Sequence, residues 1–511
     1  MFHIFDRCAR KRFTNVQRGC LASISVGGFL ICALACVACA ANQPLMLDPH
    51  DPYYLVFRGR TRVFIGSSEH YGAVINTAFN YRRYLSTLQR EGFNVTRIFS
   101  GQYHERPGKF GALPTADIPD FDIVANTLAP EASTYLSPWR RTNVRGAIDG
   151  GNKFDLMRWN PAYFRRLRDF IDEAGRRGIV VELSLFSPYF VPDVGDHFWQ
   201  VSPWNVRNNI NKIGDYSGSQ ALTLRDPRLV QIQDELVRKL ARELRGFDNL
   251  YYEICNEPYD DVPLDWQKHV ARTLRDAESR YRLKHLIVQE ISAGAREAYD
   301  RLPEASMIAF HNSDGQSVTL NYRLKIPIID NETIFGFDDA ANRVAAWRFL
   351  LSGGALFIGT DYSFTVGHED GSFVVPAGGA GGGSPNLRRE LAILKRFVES
   401  LPYTRMQPQP ASNVSGLPQD VHEYALGLTG RLYAMYFYRG RSEAFKGINV
   451  DRSAQPVRFN LQVPPGSYSA KWIDPKSGSI FERYALTVAS GGANVTSPEY
   501  SEDITLVLER I

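Results

Sequence analysis

From Tyr54 to about residue 401 the chain repeats one alternation, a short apolar run followed by a longer amphipathic one. Val63-Phe-Ile-Gly, Val95-Thr-Arg-Ile-Phe, Ile179-Val-Val-Glu-Leu-Ser-Leu-Phe, Leu250-Tyr-Tyr-Glu-Ile-Cys, Leu286-Ile-Val-Gln, Ser306-Met-Ile-Ala-Phe, Ile326-Pro-Ile-Ile and Ala355-Leu-Phe-Ile are eight candidate strands. Between them, 81–91 reads as a helix with Tyr84, Leu85 and Leu88 on one face. Pro161 opens another, with Tyr163, Phe164, Leu167, Phe170 and Ile171 at helical spacing. Further helices are expected over 228–244, 264–280 and 386–401. Strands separated by helices are joined by crossovers and run parallel. Eight such units in roughly 350 residues predict an α/β chain folded as a (β/α)8 TIM barrel with long loops. A doubly wound sheet would carry a glycine-rich phosphate turn after its first strand, and Ile65-Gly-Ser-Ser-Glu-His is not one.

The pattern changes after Pro402. Leu432-Tyr-Ala-Met-Tyr-Phe-Tyr, Val457-Arg-Phe-Asn-Leu-Gln-Val, Tyr468-Ser-Ala-Lys-Trp-Ile and Ile504-Thr-Leu-Val-Leu are strand-like, separated by turns such as Pro464-Pro-Gly and Pro475-Lys-Ser-Gly. This predicts a small antiparallel β-sandwich domain over 409–511, following a barrel over 50–404. Three long segments, 100–155, 187–226 and 361–385, follow strands, so in a barrel they crowd the catalytic face and predict a deep pocket or narrow cleft. The run Gly378-Gly-Ala-Gly-Gly-Gly-Ser lacks the lysine of a phosphate loop and reads as a flexible stretch.

Residues 1–41 read as an address. Arg7, Arg10, Lys11, Arg12 and Arg18 precede the uncharged Leu21–Ala41, which ends in the small-residue exit Ala38-Cys39-Ala40. This is the pattern of a secretory signal peptide. The apolar run is short for a membrane span, and a lipid anchor on Cys36 or Cys39 would be the one contact with a membrane. Five of the six cysteines fall here, leaving Cys255 as a core filler and the mature chain without a disulfide. Charge points the same way. Of 59 basic and 55 acidic residues, five and one lie in this segment, so the rest balances at 54 of each and gives no argument for nucleic-acid binding.

The sharpest chemical signal is Leu250-Tyr-Tyr-Glu-Ile-Cys-Asn-Glu-Pro-Tyr, a buried strand ending in Asn256-Glu257-Pro258. Barrel strands present their C-terminal residues to the active site, so Glu257 should project into the mouth. The tripeptide at the end of a fourth strand resembles the clan of retaining (β/α)8 glycoside hydrolases, whose best-known members are the family 5 cellulases. The resemblance implies that Glu257 is the general acid/base. It also implies a carboxylate nucleophile at the end of strand seven, where Glu332 stands. Retaining hydrolysis needs two carboxyl groups about 5–5.5 Å apart. Glu290, ending strand five, is the rival for the second role. An ionised Glu332 would raise the pKa of Glu257 and keep it protonated for the leaving oxygen.

The same resemblance assigns Arg97 on strand two to the nucleophile, Asn256 to the sugar 2-OH, and His311 to the clan's strand-six histidine. The tyrosine usual two residues later is Ser313 here. Ser187-Pro188 stands where a histidine is common after strand three, and Asp361-Tyr362 where a tryptophan is common after strand eight. These departures suggest a separate family within the clan. Glu69, His70, Trp199 and Tyr362 are further candidates for lining a sugar pocket. Trp199, Trp204, Tyr189 and Phe190 offer ring faces for stacking, or alternatively pack their own loop. The run His368-Glu369-Asp370 lacks the spacing of a zinc protease, so no metal and no cofactor are expected. The expected partner is a poly- or oligosaccharide, and oligomeric state is not encoded legibly. A glycan-binding protein without turnover, or a transglycosylase using both glutamates, are the alternatives.

Overall fold

In the computed structural model, residues 44–106, 123–259, 261–291, 295–313, 315–333, 338–376, 381–443 and 447–511 are described. Residues 1–41, read above as an export signal and holding five cysteines, and residues 378–380 of the glycine-rich run lie outside them. Eight parallel strands form one sheet: β1 (Phe64–Ser68), β2 (Val95–Phe99), β3 (Val180–Ser184), β4 (Leu250–Glu253), β5 (Ile287–Glu290), β6 (Met307–His311), β7 (Ile328–Thr333) and β8 (Leu356–Thr360). The ladder runs β1-β8-β7-β6-β5-β4-β3-β2. Side chains and single backbone bonds close the seam between β1 and β2. Asn94 Oδ1 accepts from Ile65 N at 3.0 Å, its Nδ2 donates to Val63 O at 2.9 Å, and Arg97 N donates to Ser68 Oγ at 3.2 Å. The seam also explains Gly66, because a Cβ there would sit 2.5 Å from Val95 O.

The longer helices among the described residues are α1 (Tyr81–Glu91), α2 (Pro161–Arg176), α3 (Pro227–Leu244), α4 (Leu264–Glu278), α5 (Asp339–Leu351) and α6 (Pro385–Glu399). Asn80, Asn160, Asp226, Asp338 and Ser384 cap five of them through side-chain oxygens, and Pro stands at the start of α2, α3 and α6. Helix α5 was not foreseen. Every residue from Ala340 to Leu351 is buried, so the segment carries no polar face for a periodic pattern to reveal. The long segment after β2 also holds an unforeseen hairpin, Trp139–Arg145 with Asn152–Trp159. Among the described residues no helix is long and apolar enough to cross a membrane.

The C-terminal part is antiparallel. Strands β9 (Val421–Leu428), β10 (Leu432–Glu443), β11 (Gly466–Ile473), β12 (Ile480–Val488) and β13 (Asp503–Arg510) build the larger sheet with the short Gln407–Pro408 and Gly447–Val450, and Val414–Ser415, Arg458–Leu461 and Ala493–Thr496 build the smaller. Strand β10 is buried on both faces. Tyr433, Met435 and Phe437 join the core between the two sheets, whereas Ala434, Tyr436 and Tyr438 join the barrel core. Trp347 of α5 stacks on Tyr436 at 5.3 Å between ring centroids. The near-continuous apolar run of β10 therefore reflects two buried sides.

Arg343 of α5 locks this contact. It donates to Asp503 Oδ2 at 2.9 Å, Glu390 Oε2 at 2.8 Å and Glu502 Oε2 at 2.8 Å, with its own side chain 2% exposed. Arg343→Met leaves buried carboxylates unpaired, and a loss of roughly 3–5 kcal/mol is expected. A lower urea midpoint with an unchanged slope checks it.

Candidate active site

One extra residue in β7 sets the site. Phe310 pairs with Asp330 and His311 with Glu332, and on the other edge Asp330 pairs with Phe357 and Thr333 with Gly359. Both neighbours skip a residue, which is the signature of a bulge. In a regular strand Asn331 and Glu332 would face opposite sides. Here both point inward. Asn331 Nδ2 donates to Glu182 Oε1 at 2.6 Å and Glu253 Oε1 at 2.7 Å, while Glu332 turns to Arg97 and Tyr71.

Arg97 is the centre of the barrel floor. Its side chain is wholly buried, with Nη1 donating to Glu332 Oε2 at 2.8 Å and Nη2 to Glu253 Oε2 at 2.6 Å and Asn256 Oδ1 at 2.8 Å. Its Nε lies 3.0 Å from Glu182 Oε1, and Nη2 lies 3.7 Å from Glu290 Oε2. The guanidinium sits over the Tyr71 ring, 4.7 Å from its centroid. One cation thus serves four buried glutamates. Burial pushes Glu182 up to about 7, with Glu253 adding to the rise. Burial raises Glu253 too, but the charge and hydrogen bond of Arg97, a hydrogen bond from Ser184 and the charge of His311 together hold the carboxyl below its ordinary range.

Two donors meet on Glu332 Oε2: Arg97, and the Tyr71 hydroxyl at 2.8 Å. Tyr71, just past β1, was not singled out in the sequence. It supplies a phenol to Glu332, whereas Ser313 turns its amide to Asp330 Oδ2 at 2.7 Å.

Glu257 stands across the mouth, its side chain 16% exposed. One oxygen from each of Glu257 and Glu332, together with a ring nitrogen of His311, lie within 4.8 Å of one another. Glu257 has a left-handed backbone at φ +41°, a conformation costing a non-glycine residue about 1–3 kcal/mol. Its amide donates to Glu290 Oε2 at 3.0 Å, and Tyr259 Oη donates to its Oε1 at 3.2 Å. His311 lies between carboxylates, with Nδ1 3.3 Å from Glu257 Oε1 and 3.8 Å from Glu332 Oε1, and Nε2 3.1 Å from Glu290 Oε2.

Burial opposes a charge on His311, but Glu290, Glu332 and the hydrogen bond to Glu257 hold the imidazole well above its usual range. That changes the expectation for Glu257. Burial pushes its carboxyl up, yet the His311 hydrogen bond and charge, with Arg97, hold it below the usual carboxylate range. The sequence reading counted the Glu332 charge and could not count a protonated imidazole beside it. The three atoms within 4.8 Å would suit a cation by distance alone. A protonated His311 and Arg97 already put two positive charges there, which opposes a metal ion.

The remaining candidates divide. Asn256 bridges Arg97, Ser187 and Glu257, its Nδ2 donating to Ser187 Oγ at 3.3 Å. His70 Nε2 lies 3.4 Å from Glu105 Oε1, and its ring is 5.4 Å from Tyr71 and 5.5 Å from Tyr362. Burial holds the Tyr362 phenol well above its usual range, with the charges of Glu332, Glu105 and Glu257 adding to the rise. Glu69 is wholly buried and pins its own loop, accepting from Gly72 N at 3.0 Å and Ala73 N at 2.9 Å. Trp199 is packed inside the loop after β3. It is 1% exposed, stacked on Tyr216, and donates its indole N–H to Tyr216 O at 2.6 Å.

Solved structures share this fold. A glycoside hydrolase aligns over 92% of this chain and 97% of its own, with a TM-score of 0.59 at 14% identity. The fold held in common is a (β/α)8 barrel followed by a C-terminal β-domain. A putative glycoside hydrolase from Bacteroides vulgatus aligns over 92% of this chain and 83% of its own, with a TM-score of 0.60 at 14% identity. A glycoside hydrolase family 5 protein from the same organism gives 92%, 94% and 0.58, also at 14% identity. In sequence, residues 128–243 match a domain of unknown function, DUF6298. That stretch holds the hairpin, α2, β3 and most of α3. No curated protein matches the chain.

Proposed function

We propose that the protein is an exported retaining glycoside hydrolase acting on an oligo- or polysaccharide. The observation that carries this reading is the Glu257–Glu332 pair, with oxygens within 4.8 Å at the ends of β4 and β7. Such proximity suits double displacement and leaves no room for the water that an inverting enzyme seats between its carboxylates. Glu332, held by Arg97 and Tyr71, attacks the anomeric carbon. The C–O bond to the leaving group breaks as Glu257 delivers a proton to that oxygen. Glu257 then takes a proton from water, which displaces the sugar from Glu332. Asn256, whose Oδ1 accepts from Arg97, is assigned the sugar 2-OH in this reading. The secretory signal read over 1–41 fits an enzyme that meets its glycan outside the cytoplasm.

A panel of aryl glycosides, followed by a 2-fluoro glycoside of the sugar that is turned over, tests the reading. The trapped sugar is expected on the peptide containing Glu332. No turnover across the panel, or a label on another residue, overturns it.

A further inference from the structure

Strand β5 contributes an acid for which double displacement has no place. Glu290 is 2% exposed at the strand's last position. It accepts the Glu257 amide at 3.0 Å and lies 3.1 Å from His311 Nε2, while its Oε1 has no hydrogen-bond partner among the described residues. We propose that Glu290 is a positioning residue for the acid/base of the proposed reaction: it fixes the left-handed main chain of Glu257 and supplies the charge that keeps a proton on His311 beside Glu257.

Geometry makes both halves necessary. A left-handed glutamate is held only where its surroundings over-determine it, and the Glu290 carboxylate meets the one main-chain donor Glu257 offers. His311 then lies between the two acids, its Nδ1 3.3 Å from Glu257 and its Nε2 3.1 Å from Glu290. The proton route balances. His311 Nδ1–H passes its proton to Glu257 Oε1, Glu257 passes one to the leaving oxygen, and His311 is left neutral with Nε2–H toward Glu290. In the second step, water yields a proton to Glu257, and His311 recovers its own. The three groups titrate as one unit. Burial raises the Glu290 carboxyl while His311 and Arg97 pull against that rise, so the charge on Glu290 and the proton on His311 are held together within the unit.

Other charged groups face this unit. Arg97 and Glu253 act on Glu290 from β2 and β4, and Cys255 and Tyr259 lie within reach of its charge. Glu332 and Asp330 act on His311 from β7. None of them changes in Glu290→Gln, which keeps the size and an acceptor for the Glu257 amide.

Two readouts on the full chain test the proposal. The first is the NMR titration of the His311 ring, assigned by its loss in His311→Asn. In Glu290→Gln its proton affinity should fall about tenfold or more. The second is the pH profile of kcat/KM, whose alkaline limb should move to lower pH in the same variant, with kcat reduced more than KM is raised. Glu290→Asp, which restores the charge, should return the titration toward wild type. Glu290→Ala, which also removes the acceptor, should fall below Glu290→Gln in kcat at every pH. Titration and limb both at their wild-type positions in Glu290→Gln, with activity lowered evenly across pH, overturn the charge half. Equal kcat in the Ala and Gln variants overturns the main-chain half. If wild type turns over no glycoside, the functional reading fails, and the His311 titration still decides the charge half.

Discussion

Glu332→Gln should cut glycoside turnover by about 10⁴-fold or more while leaving the fold intact. The amide has the size of the carboxylate, and its carbonyl can accept from both Arg97 and Tyr71, which now meet on one oxygen of Glu332. It cannot form the glycosyl ester, so no covalent intermediate accumulates. Glu257→Gln should fail differently. A general acid contributes about 10²–10⁴-fold, and a leaving group that departs readily as an anion needs little of it. With an activated aryl glycoside, Glu257→Gln should therefore retain a burst of product followed by slow turnover, because the second step lacks its base. With an unactivated alkyl glycoside both phases should vanish. The pair of results is diagnostic. Equal loss on both substrates, or residual turnover in Glu332→Gln above about a hundredth of wild type, would contradict the assignment of roles.

How much of this was legible in the sequence depends on what each residue shows without its neighbours. Eight strands with helices between them betray a barrel because period and order are local properties. Glu257 and Glu332 were legible for the same reason, as acids placed at strand ends. What sets Glu332 inward is a bulge, and a bulge is a relation among three strands that no run of letters displays. Glu182 and Glu253 carried a signal that was passed over: a charged residue in the middle of Val-Val-Glu-Leu and Tyr-Tyr-Glu-Ile, where the strand is otherwise fully apolar. A buried charge must have a partner, and Arg97 on β2 was the one cation already placed inside. Tyr71 had no such mark, since a tyrosine after a strand is ordinary. Helix α5 hid because it is enclosed by the barrel and the C-terminal sheet, which removes amphipathicity.

The largest stability effect should come from Arg97→Met. Arg97 ion-pairs with Glu182, Glu253, Glu290 and Glu332 in a region sealed from water. Removing one partner of a buried pair costs about 3–5 kcal/mol, and here one residue serves four acids. The deficit should depend on pH, and its sign follows from linkage. In the native protein burial raises Glu182, to about 7, and raises Glu290 as well, above the roughly 4.3 of an unfolded glutamate. A raised acid favours folding most below its unfolded value, and that contribution is lost as pH rises through the folded value. Glu253, held low by Arg97, contributes in the opposite sense, above its unfolded value. Without Arg97 the acids rise further and Glu253 joins them, so the fold must either take up protons or bury bare charge. The variant's deficit should therefore be largest near pH 8 and shrink toward pH 5, where protons replace the missing guanidinium. Arg97→Lys should fall between, because an ammonium cannot fork toward Glu332 and Glu253 together. Urea midpoints of the three proteins at the two pH values decide the matter. A deficit that is constant, or greater at the acid end, would mean that the guanidinium is not what makes the buried carboxylates tolerable.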